Sequence, residues 1–571
     1  MESTSFGPAS FWGPGPYDDG YRLRLVQIGT RDEAWLLDPQ APATKVLLAD
    51  ESITFVSQTD VDPIAMETQL GVSILDRWLD TYTLSALSGR RAGSRGLKPT
   101  ADDYGMPELA AADAELDGIF GEMCREAGEP STAANRAAYG YTNIAVDHPV
   151  FLRYSGLDAI ACLRLVPLLL ADAQAPREAI QSAMEIAREN ARLKMRGVRA
   201  DLKLLAELEA KYPPLHAAAV AAFEEHTGGV NPKSPKQITE YFEAAGVDFA
   251  TWAENGGSMT GTDAPSLGKD SWKTLFQYDL DDHHVRAVEL YGELKQSQNA
   301  AATIGQLAAA VGTDGRIHPN IVPEGTDTGR MSSRAPNMQN LKGEMRHIVI
   351  ADPGFVLASI DFDGLEAKMA AAFSQDPALI AATAPGADFH QATADLIGID
   401  RKPAKTLNFQ ILFGGGARAV AAALRIALAE ARTLIGQWWS AYPELSRLND
   451  GLKQRTDYVP LLNGRRIRVP RFVKGDQKGE HRTYANLNYL IQGSSAQALK
   501  AAILRVSQVY GLGHLVMLYI HDELLVQVPE DQMHLLDSIV EAMNFSLLGI
   551  QFTAGAAVLR DEEGVSRWVE S

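Results

Sequence analysis

Cysteine is almost missing from this sequence: only Cys124 and Cys162 occur in 571 residues. Two isolated thiols exclude a disulfide framework and fit a reducing compartment. Positive charge is also short. Against 72 Asp and Glu there are 53 Lys and Arg, a formal net charge of −19, and the pI is about 5.1. This balance excludes a simple basic protein that coats nucleic acid. It leaves open an enzyme acting on nucleic acid, for which local clustering of cations matters more than the total. Long apolar runs are lacking too. The longest, residues 151–173, is interrupted by Arg153, Asp158 and Arg164, so it reads as a buried helix and not a membrane span. No early segment has the pattern of a secretory signal, and no internal repeat is visible. The expectation is a monomer that works in the cytoplasm without a membrane.

Apolar residues, in contrast, make up 46% of the chain, enough for several globular domains each with its own core. Strand-like runs at 21–28, 34–37 and 53–57 followed by helical patterns to about 175 predict a first α/β region. Residues 176–310 read as mostly helical, with one long amphipathic segment over 177–212 and a Gly/Ser/Thr-rich loop at 255–262. Strands and helices mix from 311 onward.

Four segments of this last region carry chemistry: Thr328 to Ser333 (TGRMSS), Asp361 to Glu366 (DFDGLE), Arg401 to Gly414 (RKPAKTLNFQILFG) and His521-Asp522-Glu523. Phe355 to Ile360 (FVLASI) predicts a strand ending at Asp361, with a helix starting near Leu365. Leu515 to Ile520 and Leu524 to Val528 predict a hairpin with the acidic triplet at its tip. If these strands are neighbours, Asp361 and Asp522 stand side by side, a pair of hard oxygen donors suited to Mg²⁺. On a helix, steps of four residues keep Lys405, Phe409 and Phe413 on one face, and Gly414-Gly415-Gly416 ends it. Pro403 is tolerated in a first turn but disfavours helical geometry at Lys402, so Arg401 is expected ahead of the helix. Each segment alone has an ordinary explanation: acids solvate strand ends, helical aromatics fill cores, and basic clusters form solvated faces.

Together and in this order, the segments resemble the motifs of family A DNA polymerases, the group of bacterial DNA polymerase I, over about residue 185 to the C-terminus. The resemblance implies a multidomain α/β and α+β fold: an exonuclease-like (ribonuclease H-like) α/β domain over 1–175, then a right-hand polymerase. Its thumb would span 176–310, its palm 311–364 and 486–571, and its fingers 365–485. The implied reaction is template-directed addition of deoxynucleotides to a primer 3′-hydroxyl. Two Mg²⁺ ions (or Mn²⁺ in their place) held by Asp361 and Asp522 would activate the hydroxyl and steady the departing pyrophosphate. The implied partners are primer-template DNA, deoxynucleoside triphosphates and replication accessory proteins.

The resemblance also assigns individual residues. Arg401, Lys405, Phe409, Phe413 and His390 fall at positions that bind the incoming nucleotide; Lys405 can meet the triphosphate and protonate pyrophosphate. Glu366 matches the steric gate that excludes a ribose 2′-hydroxyl. Arg330, Asn488 and Gln492 match positions at the minor groove of the new base pair, where acceptors are common to all correct pairs. His521 matches a position near the primer terminus. Arg346 and the cluster Arg465, Arg466 and Arg468 are expected to contact phosphates, as are Lys233 and Lys236 in NPKSPKQ (231–237). Asp363 and Glu523 receive no firm assignment. Three departures stand out: Pro403, Phe413 where many relatives have tyrosine, and Tyr484 where the family has arginine.

In the first region, Tyr154 and Asp158 have the spacing of the last motif of a 3′–5′ exonuclease, and Asp62 lies roughly where a middle aspartate belongs. The first motif, a strand with Asp-x-Glu ahead of residue 21, is expected to be missing, with Glu2 as its remnant. The expectation is weak or absent proofreading, a damaged sheet edge, and an origin in a phage replication system. The rival readings are a repair enzyme dominated by its exonuclease and a catalytically silent DNA-binding relative.

Overall fold

Side chains alternate between the two faces of a strand, and the run Phe355–Phe362 uses that alternation to join two cores. Ala358, Ile360 and Phe362 pack into one core with Leu524, Val526 and Val528 of the neighbouring strand. Leu357 packs on the other side with Leu525, Leu518 and Ile520. Burial on both faces explains the nearly unbroken apolar character of these strands. Each fully buried aliphatic side chain contributes about 1.5–3 kcal/mol, so the sheet is anchored from both sides. In the computed structural model, residues 2–3, 15–17, 21–89, 95–252, 257–260, 264–268, 271–472 and 479–569 are described.

The sheet has four antiparallel strands in the order Val516–Ile520, Glu523–Pro529, Phe355–Phe362, Ala554–Val558. The helices Leu365–Ser374, Asn486–Leu504 and Leu535–Met543 supply the larger core on one face. On the opposite face Val198, Leu205, Ile304 and Trp568 complete the second core.

The predicted helix over 177–212 is two helices, Arg177–Arg196 and Leu202–His226. Gly197 separates them at φ +62°, where a Cβ would come within 2.8 Å of the His318 ring; only glycine fits this helix end. Leu202–His226 packs along Asp282–Ala309, with a separate core around Phe223, Phe242, Trp252 and Tyr291. Of the expected loop at 255–262, residues 255–256 and 261–262 lie outside the described residues; Ser258–Met259 pairs with Pro265–Ser266.

In the first region Leu23–Gly29 is the middle strand of an antiparallel sheet with Ala34–Leu37 on one side. On its other side the two-residue strand Glu2–Ser3 pairs opposite Leu25 and Leu23. A short strand is therefore present where none was expected; the pairing shows only in backbone hydrogen bonding, which a sequence pattern two residues long does not signal. Phe55–Ser57 and Trp78–Asp80 form a separate parallel pair. Pro149–Asp172 is one helix long and apolar enough, by length and composition, to cross a membrane. Phe151, Leu165 and Leu169 lie in the core, while Leu168 and Leu170 are exposed, so the helix is buried on one face only and not throughout. Its Arg153 and Arg164 pair with Glu115 and Asp32 of neighbouring segments.

Candidate active site

The acidic triplet is placed by hairpin geometry. Ile520 pairs with Glu523, leaving His521 and Asp522 as a two-residue turn. Such turns need positive φ, and His521 adopts +55°. In the separate pairing with Phe355–Phe362, Glu523 falls directly opposite Asp361, with Asp522 adjacent at the tip. Opposed residues of antiparallel strands have Cβ atoms about 4.5–5.5 Å apart, so three carboxylates converge on one end of the sheet. On its other side Asp361 faces Gly555, where a Cβ would meet nothing within 4 Å. One flank of the aspartate is therefore open.

The electrostatics follow. Asp361 is pushed up to about 7, first by loss of water around it and then by the negative charges of Asp522 and Glu523. Burial also raises Asp522, although Arg330 and His521 oppose the rise. Burial raises Glu523 against a hydrogen bond from Ser359 and the charge of Arg346. His521 is lowered by burial and by Arg330 and Arg346. Carboxylates that repel one another this way are suited to a divalent cation, which relieves both terms. Among the described residues there is no set of three or more His, Cys, Asp or Glu side chains shaped to hold a metal ion. Mg²⁺ is characteristically held by one or two carboxylates plus substrate phosphates and water, and the donors here fit that pattern.

Next to the aspartates, Arg330, Glu366, His521 and Asp522 line one cavity with Gln339 and Ser495. Arg330 forms an ion pair with Glu366, whose side chain is 12% exposed. Glu366 stands in the first turn of Leu365–Ser374. Asn488 and Gln492 lie one turn apart on Asn486–Leu504, and Asn488 Oδ1 is buried without a hydrogen-bond partner among the described residues. The neighbouring Asp363 instead pairs with the buried Lys368 at 2.8 Å.

A second group occupies the helix Arg401–Leu412. Ala404, Leu407, Asn408 and Ile411 face the core, leaving Lys405, Phe409 and Phe413 on the outer side. Phe409 and Phe413 stack with ring centroids 5.6 Å apart, and Phe409 also meets His390 at 5.3 Å. His390 Nδ1 is 3.0 Å from Asn408 Nδ2, and burial and Lys405 lower its pKa. Arg401 is the first residue of the helix, not ahead of it as expected. Pro403 falls in the first turn, where the missing N–H would have had no intrahelical partner, and Arg401 Nε donates to Asp388 at 2.7 Å. The helix ends beside the other group: a Cβ at Gly414 would be 3.8 Å from that of Asn488.

A model of the family described as DNA polymerase family A matches residues 202–553. The chain belongs to this family. It is 27% identical over 553 residues to a DNA polymerase of Mycobacterium phage L5, covering 90% of this chain and 85% of that one. The DNA polymerase of Mycobacterium phage D29 is 26% identical with the same coverage. DNA polymerase I of Deinococcus radiodurans is 34% identical over 240 residues, 38% of this chain. The fold is similar to the POL domain of Pol1 from M. smegmatis, solved with DNA primer-template and dNTP, at TM-score 0.67 and 20% identity over 94% of this chain and 92% of that one.

Several of the expected phosphate-contacting cations of this family A polymerase have partners within the protein. Arg465 is 5% exposed and paired with Glu324. Arg466 donates to Gln174 at 2.9 Å and Arg468 to the Gly89 carbonyl at 2.9 Å; both tie the strand Arg466–Arg468 to the first region. Arg346 donates to the Leu341 carbonyl and covers the Trp568 ring. Lys233 and Lys236 are exposed around the start of Pro235–Ala244, with Lys236 3.7 Å from Glu240. In the first region Asp62 and Asp158 line one cavity, whereas Tyr154 lies in the core under Lys98; the side chain of Glu2 is outside the described residues.

Sequence reasoning missed three contributors. Gln339 accepts from Ser333 N and donates to the Tyr519 carbonyl at 2.9 Å, fastening the TGRMSS segment to the hairpin. Arg482 donates to Tyr484 at 2.9 Å, so a guanidinium stands next to the position where arginine was expected. Glu324 is buried between two cations; its spacing from Arg330 alone carries no signal of this.

Proposed function

We propose that this polymerase extends a primer 3′-hydroxyl with deoxynucleotides chosen by a DNA template, in a replication system of phage type. The observation carrying this reading is the convergence of Asp361, Asp522 and Glu523 beside the Arg330–Glu366 pair. The DNA polymerases of the two mycobacteriophages, similar over nine-tenths of the chain, support the setting.

Asp361 and Asp522 would hold Mg²⁺. Bound there, Mg²⁺ makes a hydroxyl a better nucleophile and neutralises phosphate charge. The chain's own residues do the rest. Lys405 and Arg401 offer positive charge to the triphosphate, and Lys405 donates a proton to the leaving pyrophosphate. His390, held neutral by its surroundings, can donate to a phosphate oxygen without adding charge. Phe409 provides a flat surface for the nucleotide. Glu366, fixed by Arg330, fills the space where a 2′-hydroxyl would lie. Asn488 and Gln492 project amides toward the new pair, and His521 flanks the primer end.

The domain limits given above, with thumb 176–310, fingers 365–485 and a divided palm, form part of this proposal, as does an exonuclease-like domain over 1–175. The shared cavity of Asp62 and Asp158 supports the latter. A primer with a single template base ahead of it tests the reading: only the complementary deoxynucleotide should be added. Addition independent of the template base would overturn it.

A further inference from the structure

Below the turn that carries Arg330 lies a group of three charges nearly withdrawn from water. Glu324 is 1% exposed, Lys500 3% and Arg465 5%. Glu324 accepts from Lys500 Nζ at one carboxylate oxygen and from Arg465 Nη1 at the other. Its backbone carbonyl accepts from Arg95. Burial alone would raise the Glu324 carboxyl, but Arg465 and Lys500 outweigh it and hold it below the ordinary range, so it stays ionised.

The cluster grips the turn directly. Lys500 Nζ donates a second hydrogen bond to the Gly329 carbonyl at 2.9 Å. Gly329 lies at φ +80°, and a Cβ there would be 2.4 Å from Arg465 Nη1, so the backbone packs on the guanidinium. The turn is also closed on itself. Gly325 N donates to the Arg330 carbonyl at 3.0 Å, and Arg330 N donates to Thr326 Oγ1 at 3.0 Å. Arg330 leaves this closed turn to pair with Glu366. Lys500 belongs to the same helix as Asn488 and Gln492, so one buried carboxylate links the turn to that helix. Burying three ions is costly, and a well-packed apolar cluster would often be as stable. A gain in stability therefore does not account for the arrangement.

We propose that Glu324 is a positioning residue for nucleotide selection. Through Lys500 and Arg465 it fixes the Thr326–Arg330 turn, and with it the direction from which Arg330 holds Glu366. This role rests on the reading that Arg330 and Glu366 border the incoming sugar.

The test is kcat and KM for a matched deoxynucleotide and the corresponding ribonucleotide, in the full chain, for Glu324→Gln with Glu366→Ala as reference. The expected result for Glu324→Gln is a rise of roughly 3- to 30-fold in the ribonucleotide-to-deoxynucleotide ratio of kcat/KM, the size of coupling through packed networks. The change should appear mainly in KM. A merely structural role would lower kcat for both nucleotides together and leave the ratio unmoved. An unmoved ratio for Glu324→Gln, with a raised ratio for Glu366→Ala, overturns the positioning role and leaves the pocket reading intact. An unmoved ratio for Glu366→Ala overturns both. Glu324→Gln leaves two buried cations without a counter-charge; if it does not fold, the pair Glu324→Gln/Lys500→Met keeps the parent's net charge in the cluster and takes its place, with the same expected and contrary results.

Discussion

Arg330 and Glu366, 36 positions apart, are joined by an ion pair in the cavity beside the acidic hairpin tip. The arginine comes from a closed turn and the glutamate from the first turn of a helix, so neither position is free to drift. The pair converts a flexible acid into a fixed wall.

The first expectation concerns that wall. Glu366→Ala should raise ribonucleotide incorporation on the order of 10- to 100-fold, the range for removing a fitted group from a selective pocket. Arg330→Ala should weaken matched addition and relax sugar selection together, because the freed glutamate loses its anchor. Competition between ribo- and deoxynucleotides at one template position measures both; unchanged selection in Glu366→Ala would contradict the assignment.

Phe409 offers no hydroxyl to a nucleotide lacking its own 3′-hydroxyl. Dideoxynucleotides should therefore be discriminated against, and Phe409→Tyr should narrow the gap by about 10-fold, equivalent to roughly one hydrogen bond. Chain-termination assays at matched concentrations read the ratio. Equal use of both nucleotide types by the parent would contradict the reading.

The acidic end of the sheet has a pH signature. Burial and the charges of Asp522 and Glu523 push Asp361 up to about 7 in the folded chain, above the ordinary carboxylate value of about 3.9 for an unfolded chain. The folded state thus holds a proton that the unfolded state has lost. This contribution to stability is complete below the unfolded pKa and disappears as pH rises through about 7. Thermal unfolding in chelator should show a Tm that falls from about pH 5 to about pH 8, and Asp361→Asn, which has no proton to lose there, should flatten that fall. A pH dependence identical in parent and variant would be the contrary result.

How much of this was legible in the sequence depends on the kind of interaction. The strand ending near Asp361, a hairpin turning at His521-Asp522-Glu523 and the shared face of Lys405, Phe409 and Phe413 follow from local periodicity; the structure has the strand, the face and the hairpin, with the tip shortened to His521-Asp522 because Glu523 begins the second strand. That Glu523 lies opposite Asp361 was not foreseen, because the register between Phe355–Phe362 and Glu523–Pro529 joins strands far apart in the chain and no turn connects them. What the sequence did not signal depended on distant partners. Arg465, Arg466 and Arg468 look alike in sequence, yet one is buried on Glu324 and two are tied to Gln174 and Gly89. The break at Gly197 depends on His318, far along the chain, and the helical start at Arg401 turned on proline's tolerance in a first turn.

Lys233 and Lys236 stand exposed, and the Lys236–Glu240 pair at 3.7 Å is of the weak surface kind. Both lysines are thus available to a phosphate backbone. Replacing both with alanine should weaken primer-template binding uniformly across sequences and reduce the slope of log affinity against log salt by about 1 per lost contact. Titrations over a range of salt concentrations check this; an unaltered slope would place the duplex elsewhere.

The most direct measurement is single-turnover primer extension in Mg²⁺ by Asp361→Asn and Asp522→Asn, each first shown to be folded and to bind primer-template. Each substitution keeps the shape and removes a charge where three carboxylates meet. The expected result is a loss of roughly 10³-fold or more in the rate of addition, about 4 kcal/mol, with DNA binding retained. Extension by either folded variant at close to the parent rate would contradict the account.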